Sequence, residues 1–292
     1  MVGAHLGRLT RSASGAPRLY AEALRRDDIH PPEERTVVNA QDNARTTETA
    51  GERSAPRGDG IVIAIDGPSG SGKSSTARGT ARAREMRYLD TGAMYRALTW
   101  WVLHNGVDAT TADAAAVARL AAQPVITMGT DPTDPTVRVD GTDVAEDIRS
   151  PEVTSGVSAV SAVPEVRERM VALQRDIIAE ARRDSGGIVV EGRDITTVVA
   201  PEAEVKIYLT ASAEARAERR SREVRTSDIA ATRADLMRRD LFDSSRAESP
   251  LTQTEDALEL ETTGMSLDEV IALVVKLADE ASGEVVPSTG AV

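Results

Sequence analysis

The chain has no cysteine, which excludes disulfides and thiolate zinc sites and predicts a reducing, cytoplasmic setting. Aromatic residues make up only 2% of it, so any core must be built from Val, Ile, Leu and Ala. No apolar run approaches the roughly 18 residues needed to span a bilayer, and no signal-type apolar stretch lies near Met1. The three histidines, His5, His30 and His104, show no metal-binding spacing. Basic charge is also short: the net charge is −12, which argues against a general nucleic-acid binder. Lysine occurs only at Lys73, Lys206 and Lys276, leaving arginine to carry most cationic work. Its rigid fork suits bidentate phosphate binding.

Against that background one stretch stands out. Gly67-Pro68-Ser69-Gly70-Ser71-Gly72-Lys73-Ser74 has the spacing G-x-x-x-x-G-K-[ST], follows the apolar run Ile61–Ile65 and leads through Ser75 into a helical pattern. Strand, glycine-rich turn and helix start together make the context of a phosphate-binding loop. Glycines let several backbone N–H groups face one anion, and the helix N-terminus adds partial positive charge. Lys73 is placed for the β- and γ-phosphates, and the Ser74 hydroxyl for Mg²⁺. The expected ligand is a nucleoside polyphosphate.

Residues 1–59 lack sustained periodicity and balance nine Arg against nine Asp and Glu through Gly60, so the acidic surplus lies downstream. They read as a disordered extension with one short helix near Leu19–Arg26, and its Arg-bearing, acid-poor start fits a weak transit peptide less well than a non-native upstream addition. The predicted globular part spans 60–282. It has a core of 60–123 and 187–282, an insertion at about 124–186, a lid near 221–232 and a loose tail at 283–292. Strands are predicted at 61–65, 88–89, 188–190, 205–209 and 257–260, alternating with helices. That alternation gives an α/β fold, a parallel sheet with helices on both faces. Short alternating segments around Asp140-Gly141 predict an antiparallel inserted subdomain.

Ligands of such sheets bind beyond the carboxyl ends of the strands. Asp90–Arg96 and Glu191–Asp194 therefore join the loop around one crevice, bringing Arg96 and Arg193 near it. Arg239, Asp243 and Arg246 fall at i, i+4 and i+7, a spacing that fits one functional helical face or a solvated helix end. Arg216, Arg219 and Arg220 read equally as a salt-bridged surface helix or a donor-phosphate clamp. Trp100 and Trp101 read as core. A P-loop facing several arginines fits phosphoryl transfer to a small phosphorylated acceptor better than simple NTP hydrolysis.

Several stretches resemble the bacterial cytidylate (CMP) kinases, of the P-loop nucleoside monophosphate kinase fold. They are Ile65–Lys73, Tyr88–Arg96, Glu191-Gly192-Arg193-Asp194, Arg239–Arg246 and Ser249-Pro250-Leu251, in family order from about 60 to 280. The resemblance implies ATP and Mg²⁺ on the donor side, held by Gly67, Pro68, Ser69, Gly70, Ser71, Gly72, Lys73, Ser74 and Ser75. Arg219 and Arg220 would be donor-side or lid residues, with Ser74 the metal ligand. It implies that Ser158, Arg167 and Asp194 recognise cytosine, and that Arg96, Arg193 and Arg246 bind the acceptor phosphate. Thr91 would join the substrate site, while Arg239 and Asp243 would surround sugar and phosphate. Lys73, Arg193 and Arg246 would neutralise the transferred group.

The expected partners are thus ATP and CMP or dCMP, with no nucleic acid or membrane and with the chain as a monomer. The rivals are a P-loop kinase of AMP, UMP or a metabolite, and a GTP-binding switch protein. The latter should show N-K-x-D, yet neither Lys206 nor Lys276 follows Asn. Three departures from the family pattern carry expectations. Thr196 replaces a glycine just after Asp194; Thr80, Arg84 and Glu85 make the first helix polar, predicting looser packing behind Lys73; and 221–238 is short for a lid.

Overall fold

β1 (Ile61–Asp66) occupies the middle of a five-stranded sheet in which every neighbour runs parallel to it or to its partners. The computed structural model describes residues 60–184, 186–224 and 226–283. The expected N-terminal extension with its short helix, the tail beyond 283 and one residue of the expected lid lie outside them. The sheet order is β2 (Arg87–Asp90), β6 (Gly187–Gly192), β1, β7 (Val205–Thr210) and β8 (Leu258–Glu261). Successive β1 side chains point to opposite faces, as the strand period requires. Val62 and Ala64 enter one apolar cluster, Ile63 and Ile65 the other.

The first cluster is covered by α2 (Thr91–His104) and α5 (Pro164–Asp184), which supply Met94, Leu98, Val166 and Met170. The second is covered by α1 (Lys73–Ala83) and α8 (Leu267–Ser282), through Ala77, Ala81, Val274 and Leu277. Helices therefore lie on both faces of a parallel sheet, as the alternating pattern predicts. Aliphatic side chains dominate both clusters, consistent with the shortage of aromatics. Trp100 and Trp101 pack half-buried against the first, with Trp100 stacked on His104 at 4.8 Å.

Between β2 and β6 the chain forms α3 (Ala114–Ala121), a small antiparallel sheet, α4 (Pro151–Ser161) and α5. The small sheet contains β3 (Ile126–Met128), β4 (Val137–Val139) and β5 (Thr142–Asp143). Asp140 and Gly141, at φ 49° and 81°, supply the two left-handed positions of its tight turn. After β7, α6 (Ala213–Val224) packs against α7 (Ile229–Ser245). Among the described residues no helix is long and apolar enough to cross a membrane.

The polar first helix does not loosen its packing. Ala77, Thr80 and Ala81 are fully buried, and Gly79 lies so close to Ile271 that a Cβ there would stand 2.2 Å from its Cδ1. Small residues thus let α8 approach closely. The arginines are used at the margins: Arg84 bonds Asp279 and the Ser282 hydroxyl, while Arg78 and Arg82 both donate Nε to the Pro132 carbonyl. Those last contacts, with the Tyr88 N–H on the Thr130 carbonyl at 2.9 Å, dock an insertion loop onto α1 and the edge strand β2. The Thr80 hydroxyl is buried without a hydrogen-bond partner. Thr80→Val, which keeps the volume and removes that hydroxyl, should raise the urea midpoint at unchanged m-value, a gain of about 1 kcal/mol.

Candidate active site

The loop after β1 takes its shape from three glycines in the left-handed region, Gly67, Gly70 and Gly72, at φ 148°, 76° and 97°. Gly67 has no alternative, because a Cβ would stand 2.0 Å from the Leu209 carbonyl oxygen. The loop is also held from outside: Asp240 accepts the Ser69 N–H at 2.9 Å, and Arg216 bonds both Asp240 and the Ser69 carbonyl. Ser71 is buried with its hydroxyl unpartnered, while Ser75 is exposed on the first turn of α1. Lys73 is buried and donates to the Pro68 carbonyl at 2.7 Å. Burial, then the nearby Arg193, lower its ammonium to about 7, against the pull of Glu191, Asp240 and Asp66. A phosphate chain in the loop would oppose that shift and favour the charged lysine.

Beside it the Ser74 hydroxyl donates to Glu191 at 2.9 Å, and the Tyr88 hydroxyl donates to the other Glu191 oxygen. Burial, with help from Asp90, pushes the Glu191 carboxyl up to about 7. Burial pushes the Tyr88 phenol far upward, so it stays a donor. A hydroxyl, one carboxylate touching it and a second close by form an all-oxygen donor set. That set fits Mg²⁺, which takes one or two carboxylates beside substrate phosphates. Glu191 was placed at a strand end by the sequence but given no chemistry. Its contact with Tyr88 depends on the β2–β6 register, which pairs Asp90 with Glu191.

Across the crevice lies a group of half-buried arginines. Arg193 bonds Asp243 at 3.0 Å, the Ser69 hydroxyl at 2.7 Å and the Gly192 carbonyl at 3.1 Å. Arg246 lies 4.0 Å from Asp243 and donates to the Ser249 carbonyl. It is not on the helical face that its i+7 spacing allowed. α7 stops at Ser245, and Arg246 is the extended residue that ends it, turned back as Leu251 N–H bonds the Asp243 carbonyl. Among the described residues Arg96 hydrogen-bonds to neutral partners, the Ile148 carbonyl at 3.0 Å and the Thr154 hydroxyl at 2.9 Å. Burial, then Arg239 and Arg220, lower it to about 10. The Nε atoms of Arg239, Arg246 and Arg167 are buried without hydrogen-bond partners. An anion placed among them would relieve such crowding of like charge.

Arg167 and Asp194 form a buried ion pair next to this group, and Arg167 lies over the Tyr95 ring, 5.5 Å from its centroid. Burial pushes the Tyr95 phenol up to about 12. Ser158 is half-buried on α4, its carbonyl bonded by the Ser161 hydroxyl. Thr91 is buried, and its hydroxyl donates to the Glu191 carbonyl at 2.7 Å. The arginines of α6 divide. Arg219 reaches the Ser71 carbonyl and both Thr262 oxygens beside the loop, whereas Arg220 turns toward Arg96 and Arg239 and pairs with Glu223. Asp240 and Arg216 belong to the site as loop supports, a part that helical spacing alone did not reveal.

A P-loop on a parallel sheet, facing a cluster of arginines across one crevice, fits the class of P-loop phosphotransferases. The particular family follows from comparison. The chain belongs to the cytidylate kinase family, whose model matches residues 63–280. It is 57% identical over 226 residues to the cytidylate kinase of Streptomyces coelicolor, covering 77% of this chain and 96% of that one. Against that of Streptomyces avermitilis it is 55% identical, covering 75% and 93%. Against that of Nocardia farcinica it is 56% identical, covering 72% and 90%. The Arg167–Asp194 pair also carries a stability prediction. Arg167→Met strands a buried carboxylate and should lower unfolding free energy by about 3 kcal/mol in urea titration, whereas Arg167→Met with Asp194→Leu should recover most of it.

Proposed function

We propose that the protein transfers the γ-phosphoryl group of ATP to CMP or dCMP, giving ADP and CDP or dCDP. Family membership supports the reaction. The observation that carries the acceptor assignment is the cluster of half-buried arginines, two of them with unpartnered buried Nε atoms, beside a buried Arg167–Asp194 pair. A nucleotide phosphate satisfies the former and a cytosine edge the latter. Asp194 accepts from the N4 amino group, while Arg167 donates to O2 or N3. Uracil would turn a carbonyl oxygen toward the carboxylate and leave two acceptors facing each other.

An oxygen of the acceptor phosphate attacks the γ-phosphorus in line as the bond to the bridging β–γ oxygen breaks. That oxygen is already anionic, so no strong base is required. Lys73, the loop N–H groups, Arg193 and Arg246 offset the charge that spreads over the transferred group. Ser74 and, through Glu191, the end of β6 would hold Mg²⁺, which supplies further charge neutralisation on the β- and γ-phosphates. Arg96 and Arg239 hold the acceptor phosphate, Asp243 keeps Arg193 and Arg246 oriented, and Arg219 guards the donor side. The same reading makes the enzyme a cytoplasmic monomer.

The test is an ADP-release assay with CMP, dCMP, UMP and AMP. CMP should give the highest kcat/KM, and failure of CMP to stimulate ADP production would overturn the assignment. In the same assay Asp194→Ala should raise KM for CMP by at least ~10-fold, far more than KM for ATP, and flatten the preference for CMP over UMP.

A further inference from the structure

Asp66 is the last residue of β1, immediately before Gly67, and it is wholly buried. Its carboxylate accepts three hydrogen bonds from the segment that follows Asp194: the Ile195 N–H at 3.0 Å, the Thr196 N–H at 2.8 Å and the Thr196 hydroxyl at 2.7 Å. That segment, Ile195–Val199, is one turn of π-helix whose first flanking residue is Asp194 itself. Its far end is held as well. Arg175 of α5 donates to the Val199 carbonyl at 3.2 Å and the Val198 carbonyl at 2.6 Å, two helical turns beyond Arg167 on the same helix. The turn is therefore clamped at its N-terminal end by the strand that carries the phosphate loop. At its C-terminal end it is clamped by the helix that carries Arg167.

We infer that Thr196, through the Asp66 carboxylate, is a positioning residue that sets Asp194 against the cytosine edge and ties base reading to the phosphate loop. This rests on the proposed CMP kinase activity. Thr196 touches no substrate in this account. Its hydroxyl supplies the third donor, which holds the turn against rotation about the two backbone bonds. The glycine expected at this position would lack that donor, so the departure from the family pattern tightens the geometry after Asp194.

The test is steady-state kinetics of Thr196→Val and Thr196→Ser beside the unaltered protein, with CMP and UMP as acceptors. Valine keeps the branched volume and removes the donor, whereas serine keeps the donor. Thr196→Val should raise KM for CMP by ~10-fold, the scale set by loss of one hydrogen bond to a buried charged group. It should leave KM for ATP within about twofold and narrow the CMP-to-UMP preference, and Thr196→Ser should restore both. Unchanged CMP kinetics in Thr196→Val would overturn the inference, as would equal increases in both KM values, or a lowered thermal midpoint with the CMP-to-UMP preference intact. Absence of CMP phosphorylation by the unaltered protein would instead overturn the reading on which it rests.

Discussion

Half-buried guanidinium charge crowded beside the phosphate loop is the constraint around which this crevice is arranged. Arg193 and Arg246 share the Asp243 carboxylate, which also acts on Arg239, while among the described residues the hydrogen bonds of Arg96 go to neutral oxygens. Holding such charges out of water is costly unless something anionic completes the set. The molecule bears that cost beyond the carboxyl ends of its strands. The lowered Lys73 and Arg96 follow from the same confinement. In the proposed reaction an arriving nucleotide phosphate would meet groups whose orientation is already settled, which is the preorganisation phosphoryl transfer needs.

That settlement comes from the scaffold. β1 delivers the loop, β6 delivers Glu191, Arg193 and Asp194, and their parallel pairing sets Asp66 beside Gly192 at the adjacent strand ends. α1 is anchored through small residues against α8 and through Arg78 and Arg82 to the insertion loop at Pro132. The subdomain inserted between β2 and β6 consequently leans on the helix that begins at Lys73. Donor and acceptor sites share a mechanical frame as well as a field.

Much of this was legible in the sequence because it is local. A strand, a glycine turn and a helix start occupy consecutive residues, and the strand-end rule places Arg96 and Arg193 in one crevice without further information. Helix limits at Pro151, Pro164 and Ser266 were equally local, being set by a first-turn proline or a capping side chain. What stayed hidden depends on register and tertiary contact. Glu191 acquires meaning only when β2 brings Tyr88 beside it. Arg246 required knowing that α7 stops one residue earlier, and Arg220 parted from Arg219 because consecutive residues on a helix face different directions. The polar α1 misled for a related reason. Its arginines face an inserted loop and α8, neither of which its own sequence identifies. Thr196 looked like a misfit, yet its hydroxyl completes the hydrogen bonding of Asp66.

The central claim is that the acceptor site is an arginine cluster completed by a phosphate, with the base read alongside it. Thermal unfolding with CMP, UMP and cytidine at matched concentrations tests this most directly, since a ligand raises the midpoint according to its affinity for the folded state. The account predicts a clear concentration-dependent rise with CMP, a smaller one with UMP and almost none with cytidine. Equal stabilisation by cytidine and CMP would contradict it.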